Sequence, residues 1–204
     1  MLLVTEYPGA RAAVFALFCA GVVAEVVATV HGRGGLGQAL RIGRGGTRLD
    51  RGTKWIVVAG LVGGIYLPIA LVRVFPALRA GANTWTTYAL GLAILASGIV
   101  LRVSAVWSLG RYFRREVTIE AGQTVHTSGP YRFLRHPAYA GDLLIVFGFG
   151  LAWGSWIGAA IGTAIAFAGH LPRIRVEEHE LRRALGDSYE RYARGRARLV
   201  PGVW

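Results

Sequence analysis

Long apolar segments dominate this sequence, and they constrain the fold more than any other feature. Residues 10–30, 55–72 and 84–107 each form a run close to the ~20 residues that an α-helix needs to cross a bilayer. A further apolar block, residues 143–168, carries no charged side chain. Hydrophobic residues make up 53% of the 204 positions, which is more typical of an integral membrane protein than of a soluble one. We therefore predict an all-α, polytopic membrane protein.

The excess of basic residues lies in the segments between the apolar runs. Lys and Arg number 23 against 11 Asp and Glu, which gives a formal net charge of +12. The positive-inside rule explains this excess without nucleic acid, so we expect membrane lipids and no nucleic acid as partners. Residues 31–54, the segment after the third run and the C-terminal tail are the basic segments. We expect the N-terminus outside, the C-terminus in the cytosol, and a bacterial-type plasma membrane; no oligomeric state follows from the sequence.

The last apolar block is flanked by basic segments on both sides, so its two ends are expected on the same side of the membrane. This predicts a hairpin over residues 138–171 that turns near Gly154–Ser155, with arms of about 16 residues, or ~24 Å each. The total is then about five transmembrane helices. Residues 172–185 predict a separate, cytosolic amphipathic helix, which Gly186 ends, and a second short helix follows it.

A few polar residues inside the apolar runs have two possible roles each. Glu25 either lines a substrate path or pairs with an arginine, because an unpaired charge is costly in hydrocarbon. Arg102 either extends to the membrane interface or contacts substrate, and His170 is either an interface residue or a catalytic one. The single cysteine, Cys19, excludes an intrachain disulfide and a cysteine-based zinc site, and no metal site is predicted.

The run SGPYRFLRHPAYAGD, residues 128–142, directly precedes the hairpin. Its Gly-Pro pair predicts a turn, and His136–Pro137 places an extended residue before a proline that can open a helix. The start of a helix presents free amide groups and positive polarity, so it can bind a carboxylate. The alternative is a basic segment flanking a span, with Tyr131 and Tyr139 as interface aromatics.

The run EEHELRRALGDSYERY follows the hairpin. Glu178 and Arg182 are four residues apart, as are Arg173 and Glu177, so the run is also consistent with a solvated helix whose ion pairs each contribute about 0.3–0.5 kcal/mol. The adjacent residues Glu177 and Glu178 cannot share one helix face, so they are expected to contact different groups.

Taken together, the two motifs resemble the isoprenylcysteine carboxyl methyltransferase family and the related phospholipid N-methyltransferases. The resemblance covers residues 109–204, whereas the first three spans match in hydropathy alone. It implies an integral membrane enzyme that uses S-adenosylmethionine (SAM), with the cofactor site in the C-terminal half on the cytosolic side. The chain is then divided into residues 1–107, three spans with the basic loop 31–54, and residues 108–204, a catalytic region with the hairpin and the C-terminal helix.

The resemblance also implies most of the individual site residues, to which Tyr131 is added as an aromatic contact for the cofactor and Arg173 as a cation for a carboxylate. The cofactor-binding residues are expected to be Tyr131, His136, Pro137, Tyr139, Gly141, Glu177, Glu178 and Tyr189. The expected catalytic residues are Arg135, Arg173 and Glu178, with the arginines as cations that orient a carboxylate. Two positions depart from the family pattern. Gln123 stands where members often carry a histidine, with His126 nearby. Asp142 gives the sequence AGD, which resembles the corresponding motif of sterol reductases of similar architecture.

The expected reaction is methyl transfer from SAM to a lipophilic acceptor, which requires positioning and exclusion of water. A carboxylate acceptor is already ionised at pH 7, whereas an amine or hydroxyl needs a base such as His136, His126 or a glutamate. The abundance of arginine favours a carboxylate or another oxygen of an isoprenoid-like or lipid-like molecule that enters from the bilayer. Alternatives are an NADPH-dependent membrane reductase of sterols or enones, a phospholipid amine N-methyltransferase, and a non-enzymatic scaffold or lipid-binding protein.

Overall fold

The computed structural model describes residues 7–32, 52–75, 77, 84–110, 125–202 and 204. These residues form a short 3₁₀ helix, Gly129–Arg132, and six α-helices: α1 Pro8–Gly32, α2 Thr53–Val74, α3 Trp85–Leu109, α4 Pro137–Ala152, α5 Trp156–Leu185 and α6 Asp187–Arg194. The all-α prediction is confirmed. Most of the predicted basic loop 31–54 lies outside the described residues.

Several helices have the length and composition of membrane spans. Among the described residues, α1, α2, α3 and α5 are the four helices that are long and apolar enough to cross a bilayer. The 16-residue α4 is a shorter apolar helix. The prediction of a polytopic membrane protein is confirmed, and a total of about five spans stays a prediction.

The hairpin is formed by α4 and α5, and its turn lies where the sequence places it. Gly154 has φ of 90°, a left-handed conformation that favours glycine. Ser155 then caps α5, since its side-chain oxygen accepts a hydrogen bond from the Gly158 amide at 2.9 Å. The predicted turn near Gly154–Ser155 is confirmed.

The predicted break after the second arm of the hairpin is wrong. One continuous helix, α5, runs for 30 residues from Trp156 to Leu185 and contains Pro172 in its interior. A proline lacks one helical hydrogen bond, but the residues around it are firmly packed: His170 is 0% and Ile174 is 1% exposed. The apolar arm therefore continues directly into the segment that carries the two adjacent glutamates.

Close helix contacts hold the bundle together. Helix α1 packs mainly against α3, α3 against α4, and α2 against α5. A side-chain carbon on Gly60 of α2 would lie only 3.0 Å from the Cα of Gly169 on α5, so both positions favour glycine at this crossing. Helices α3 and α4, which the predicted division at residue 107 assigns mainly to different regions, share a large interface. The division itself stays a prediction.

The C-terminal tail returns to the start of α4. Leu134 and Ala197 form an isolated parallel bridge, and the amide of His136 donates to the carbonyl of Arg198 at 3.0 Å. Leu199 is 4% exposed and packs in the apolar cluster of Leu134 and Ile174. The segment that precedes α4, the far half of α5 and the tail therefore meet at the end of the hairpin opposite its turn.

Candidate active site

The residues that open α4 form the first wall of the candidate site. His136 is the residue that precedes the helix, and Pro137 is its first residue, as the sequence predicts. Both side chains are buried, with His136 at 5% exposure. The His136 ring stacks on Tyr139, one turn into α4, with ring centroids 5.5 Å apart. The proline therefore fixes the direction in which the helix starts and, with it, the positions of these two rings.

Glu178 of α5 is the electrostatic centre of the site. Its side chain is buried, and Oε1 accepts hydrogen bonds from Arg135 Nη1 at 3.1 Å and from Arg198 Nε at 3.1 Å. The same oxygen lies 3.3 Å from His136 Nε2. Oε2 accepts from Arg182 Nη2 at 3.1 Å, so the predicted pair four residues apart is confirmed. One carboxylate thereby connects α5 with the segment before α4 and with the tail.

Glu177 has a different hydrogen-bond donor from its neighbour, as predicted, although both carboxylates also approach the His136 ring, on its two nitrogens. Its Oε2 accepts a hydrogen bond from the Tyr139 hydroxyl at 2.7 Å and lies 3.8 Å from His136 Nδ1. The side chain is 32% exposed, against 3% for Glu178. Arg173 Nε donates to the same Tyr139 hydroxyl at 3.3 Å. The site therefore has one enclosed carboxylate and one accessible carboxylate, with His136 between them.

The tail tyrosines form an aromatic wall beside this cluster. Tyr189 and Tyr192 of α6 are buried, and Tyr192 Oη lies 3.0 Å from the Tyr131 carbonyl oxygen and 3.1 Å from that of Leu134. Burial raises the pKa of Tyr131 and of Tyr189, and it raises the pKa of Tyr192 to about 12, so these phenols stay protonated at neutral pH. The Tyr189 hydroxyl is buried without a hydrogen-bond partner among the described residues.

His126, one of the bases considered above, fixes the loop that enters the 3₁₀ helix. Its Nε2 lies 2.9 Å from Ser128 Oγ and 3.2 Å from Ser108 Oγ. The ring meets the Tyr131 ring edge-on, with centroids 5.4 Å apart, and burial lowers the pKa of His126. Gln123 lies outside the described residues.

Gly141 lies at a helix crossing. A side-chain carbon there would be 2.8 Å from both Arg102 Cβ and the Gly98 carbonyl oxygen of α3. Glycine thus allows α3 and α4 to approach, and the cofactor contact that the resemblance implies for Gly141 stays a prediction.

The polar residues inside the spans form one network on four helices. Arg102 donates to both Glu25 oxygens, at 2.7 and 2.9 Å, and to Asp142 Oδ2 at 2.5 Å. His170 Nε2 lies 3.1 Å from the same Asp142 oxygen. The arginine partner predicted for Glu25 is confirmed. Arg102 is held between carboxylates of α1 and α4, and His170 is fully enclosed by the bundle. The two roles considered for each residue stay predictions.

Two features of the site were not found in the sequence. Arg198 contacts Glu178, but nothing in the local pattern of the tail distinguishes it from the other arginines there. Asp142 was noted for its departure from the family pattern, and its partners Arg102 and His170 lie far away in the chain. A polar residue inside each of several spans is the signal that could have linked them.

Comparison with known proteins supports one family. A family model described as phospholipid methyltransferase matches residues 86–188. Protein-S-isoprenylcysteine O-methyltransferase B of Arabidopsis thaliana is 31% identical over 137 residues, which cover 66% of this chain and 68% of that relative. A probable protein-S-isoprenylcysteine O-methyltransferase of Oryza sativa subsp. indica is 32% identical over 121 residues, 58% of this chain and 62% of the relative. The chain thus spans roughly two thirds of the length of these curated relatives.

The fold also resembles a solved structure. The eukaryotic intramembrane Ras methyltransferase ICMT superposes with a TM-score of 0.59 at 24% sequence identity. The superposition covers 72% of this chain and 52% of that chain. This likeness supports the arrangement of the helices.

Proposed function

Because this chain belongs to the phospholipid methyltransferase family and is an integral membrane methyltransferase, we propose that it methylates a lipophilic acceptor with SAM at the site around His136. The observation that carries the proposal is the meeting of two motifs, distant in the chain, at one end of the bundle. His136 before α4 lies between Glu177 and Glu178 of α5, at 3.8 and 3.3 Å. The family membership favours this reaction over the reductase and the scaffold.

The site residues fit SAM, which carries an ammonium group, a carboxylate and a sulfonium. The accessible carboxylate of Glu177 can pair with the ammonium group. The unpartnered Tyr189 hydroxyl offers a buried hydrogen bond, and the Arg135 guanidinium, 17% exposed, can pair with the carboxylate. When bound, SAM supplies an electrophilic methyl group. In this proposal Glu178 does not contact SAM; its carboxylate holds the side chains of Arg135 and His136 in position.

The acceptor in this proposal is a carboxylate or another oxygen on a lipid-like molecule. With Arg135 assigned to the carboxylate of SAM, Arg173 supplies the cation that orients the acceptor carboxylate, which needs no base. The acceptor is expected to enter from the bilayer, because its lipid-like part is apolar and the helices around the site are apolar as well. A phospholipid amine is the second candidate, because the matching family model is described as phospholipid methyltransferase.

The proposed location of the site is the cytosolic side of the membrane. The support is the positive-inside rule, because the tail and the segment before α4 are rich in arginine. A bacterial-type plasma membrane stays a prediction, and the relatives named above, which are plant proteins, do not support it.

Binding and turnover of SAM test this function directly. The purified protein in nanodiscs is titrated with SAM by calorimetry, and then incubated with methyl-labelled SAM and a lipid extract. We expect saturable binding and a labelled lipid. Release of the labelled methyl group by base indicates an ester, whereas a methyl group that resists base indicates an ether or an amine. A folded protein that binds no SAM, or that binds SAM and labels no lipid from any extract, contradicts the proposal.

Tyr139→Phe is expected to weaken SAM binding or turnover about ten-fold or more. The phenol hydroxyl connects Glu177 with Arg173, and a hydrogen bond to a charged group contributes about 1.5–3 kcal/mol. The measurement is the pair of KM for SAM and kcat, with thermal unfolding of the same sample.

Tyr192→Phe is the matched control for this change. Its hydroxyl contacts only backbone carbonyl oxygens, so its removal should lower stability by about 1 kcal/mol while KM and kcat stay near those of the unchanged protein. If both variants affect turnover equally, Tyr139 has no particular role in the site.

A further inference from the structure

Helices α1 to α4 enclose a pocket of about 170 Å³ within the membrane-spanning part of the bundle. Most of its lining is apolar, and includes Phe18, Ile65, Ile99 and Ile145. Val22, which is 48% exposed on α1, also lines the pocket, so it borders the lipid-facing surface. A cavity of about 150 Å³ can hold benzene, so this pocket has room for a segment of about that size from a membrane molecule.

One wall of the pocket is polar, and its total charge follows from hydrogen-bond geometry. Glu25, Arg102 and Asp142 line the pocket, and His170 lies behind Asp142. His170 Nδ1 lies 2.7 Å from the Ala166 carbonyl oxygen, which only accepts, so this nitrogen carries a proton.

A second proton must lie between His170 Nε2 and Asp142 Oδ2, which are 3.1 Å apart, because two acceptors alone would repel each other. The pair then consists either of an imidazolium and a carboxylate or of a neutral imidazole and a neutral acid. With Arg102 positive and Glu25 negative, the four groups have zero net charge in both cases. Within these four groups each charge has a partner, so the mainly apolar lining favours a neutral occupant over a charged one.

Asp142 leaves one hydrogen-bond acceptor for such an occupant. Its Oδ2 accepts a hydrogen bond from Arg102 and lies within hydrogen-bond distance of His170 Nε2. Its Oδ1 has no hydrogen-bond partner among the described residues. The residue is 5% exposed and lines the pocket. Among the described residues, Thr29 Oγ1 and Tyr189 Oη are the fully enclosed side-chain atoms without a hydrogen-bond partner. Asp142 Oδ1 is not one of them, which agrees with the position of Asp142 in the pocket lining. An unpaired acceptor in apolar surroundings is complementary to a neutral hydrogen-bond donor.

We infer that this pocket binds a neutral, hydroxyl-bearing apolar molecule of the membrane, whose O–H group donates a hydrogen bond to Asp142 Oδ1. The inference goes beyond the proposed methyl transfer, which takes place at the site around His136 and gives no role to Asp142. It also gives the polar network a second purpose besides joining α1 to the bundle.

Photolabelling of the full chain in phosphatidylcholine nanodiscs tests the inference without SAM. The probes are a short-chain alcohol that carries a diazirine and its methyl ether, which has nearly the same shape but no O–H donor. At equal membrane concentrations we expect the alcohol to label the pocket-lining segments of α1, α3 and α4 about ten-fold or more above the ether, because only the alcohol satisfies a buried acceptor that otherwise lacks a hydrogen bond. Excess unlabelled alcohol should remove this signal.

Two variants on α4 locate the labelled site. Ile145→Trp fills the pocket without touching the polar network and should reduce labelling by the alcohol to the level of the ether. Leu144→Trp is the matched control, because this neighbour is 37% exposed and does not line the pocket, so its labelling should equal that of the unchanged protein. Asp142→Asn, if it folds, should reduce the preference for the alcohol.

Equal labelling by alcohol and ether, or full labelling of Ile145→Trp, would overturn the inference and leave the network a purely structural role. Because no step uses SAM, failure of the methylation assay would contradict the proposed function and leave this result unaffected.

Discussion

Glu178→Ala is expected to abolish methyl transfer and to destabilise the folded protein by about 3–5 kcal/mol. The change removes a buried carboxylate and leaves the guanidinium groups of Arg135, Arg182 and Arg198 close together without their shared anion. Breaking a buried ion pair on one side has an effect of up to this size. Arg135 is 17% exposed and stays largely desolvated, whereas Arg182 and Arg198, at 40% and 31%, regain more water. Unfolding in denaturant and turnover of labelled SAM measure the two effects.

Glu190→Gln is the matched control, since Glu190 also contacts Arg182, at 2.8 Å, but its side chain is 43% exposed. An exposed pair contributes less than about 1 kcal/mol, so this variant should retain stability and turnover. The more conservative Glu178→Gln keeps the shape of the side chain and provides a folded sample for SAM titration. If Glu178→Ala unfolds at the same denaturant concentration as Glu190→Gln, Glu178 is not the electrostatic centre of the site.

Arg102→Leu is expected to destabilise the protein by about 3–5 kcal/mol, the second large effect. The substitution leaves Glu25 and Asp142 as neighbouring carboxylates inside the span region, where unpaired charge is costly. Helix α1 should then loosen, because Arg102 connects it to α3 and α4. Thermal unfolding in nanodiscs, together with protease access to α1, measures this outcome.

A double-mutant cycle distinguishes the lost charge pair from lost packing. Adding Glu25→Leu to Arg102→Leu removes one of the two carboxylates that have lost the Arg102 guanidinium, so the double variant should be more stable than the sum of the two single changes indicates. Strict additivity of the two single effects would mean that Glu25 and Arg102 do not stabilise each other.

The helices and the turn of the hairpin could be predicted from the sequence because their causes are local. Apolar length defines a membrane helix, and a glycine next to a capping serine marks the turn at Gly154–Ser155. The different contacts of Glu177 and Glu178 also followed from helix geometry alone. The meeting of the two motifs required one more argument, the return of the hairpin to the side on which it began.

Tertiary contacts decided the remaining features. Pro172 is an ordinary signal for a helix start, yet packing around His170 and Ile174 keeps α5 continuous through it. Arg198 reaches Glu178 because the tail pairs with the segment before α4, and no local pattern predicts that pairing. The contacts of Arg102 depend on acidic residues of two other helices, Glu25 and Asp142, so the residues next to Arg102 in the chain could not indicate them.

The shortness of α4 has a consequence for where the chemistry takes place. Its 16 residues rise about 24 Å, against a hydrocarbon thickness of about 30 Å, so its two ends cannot both reach the level of the lipid phosphates. If the turn at the other end reaches the level of the phosphates, the ring of His136 lies in a shallow depression below the surface of its leaflet. There, the proposed water-soluble donor and lipid-like acceptor can meet at the boundary between water and hydrocarbon, and neither has to cross it.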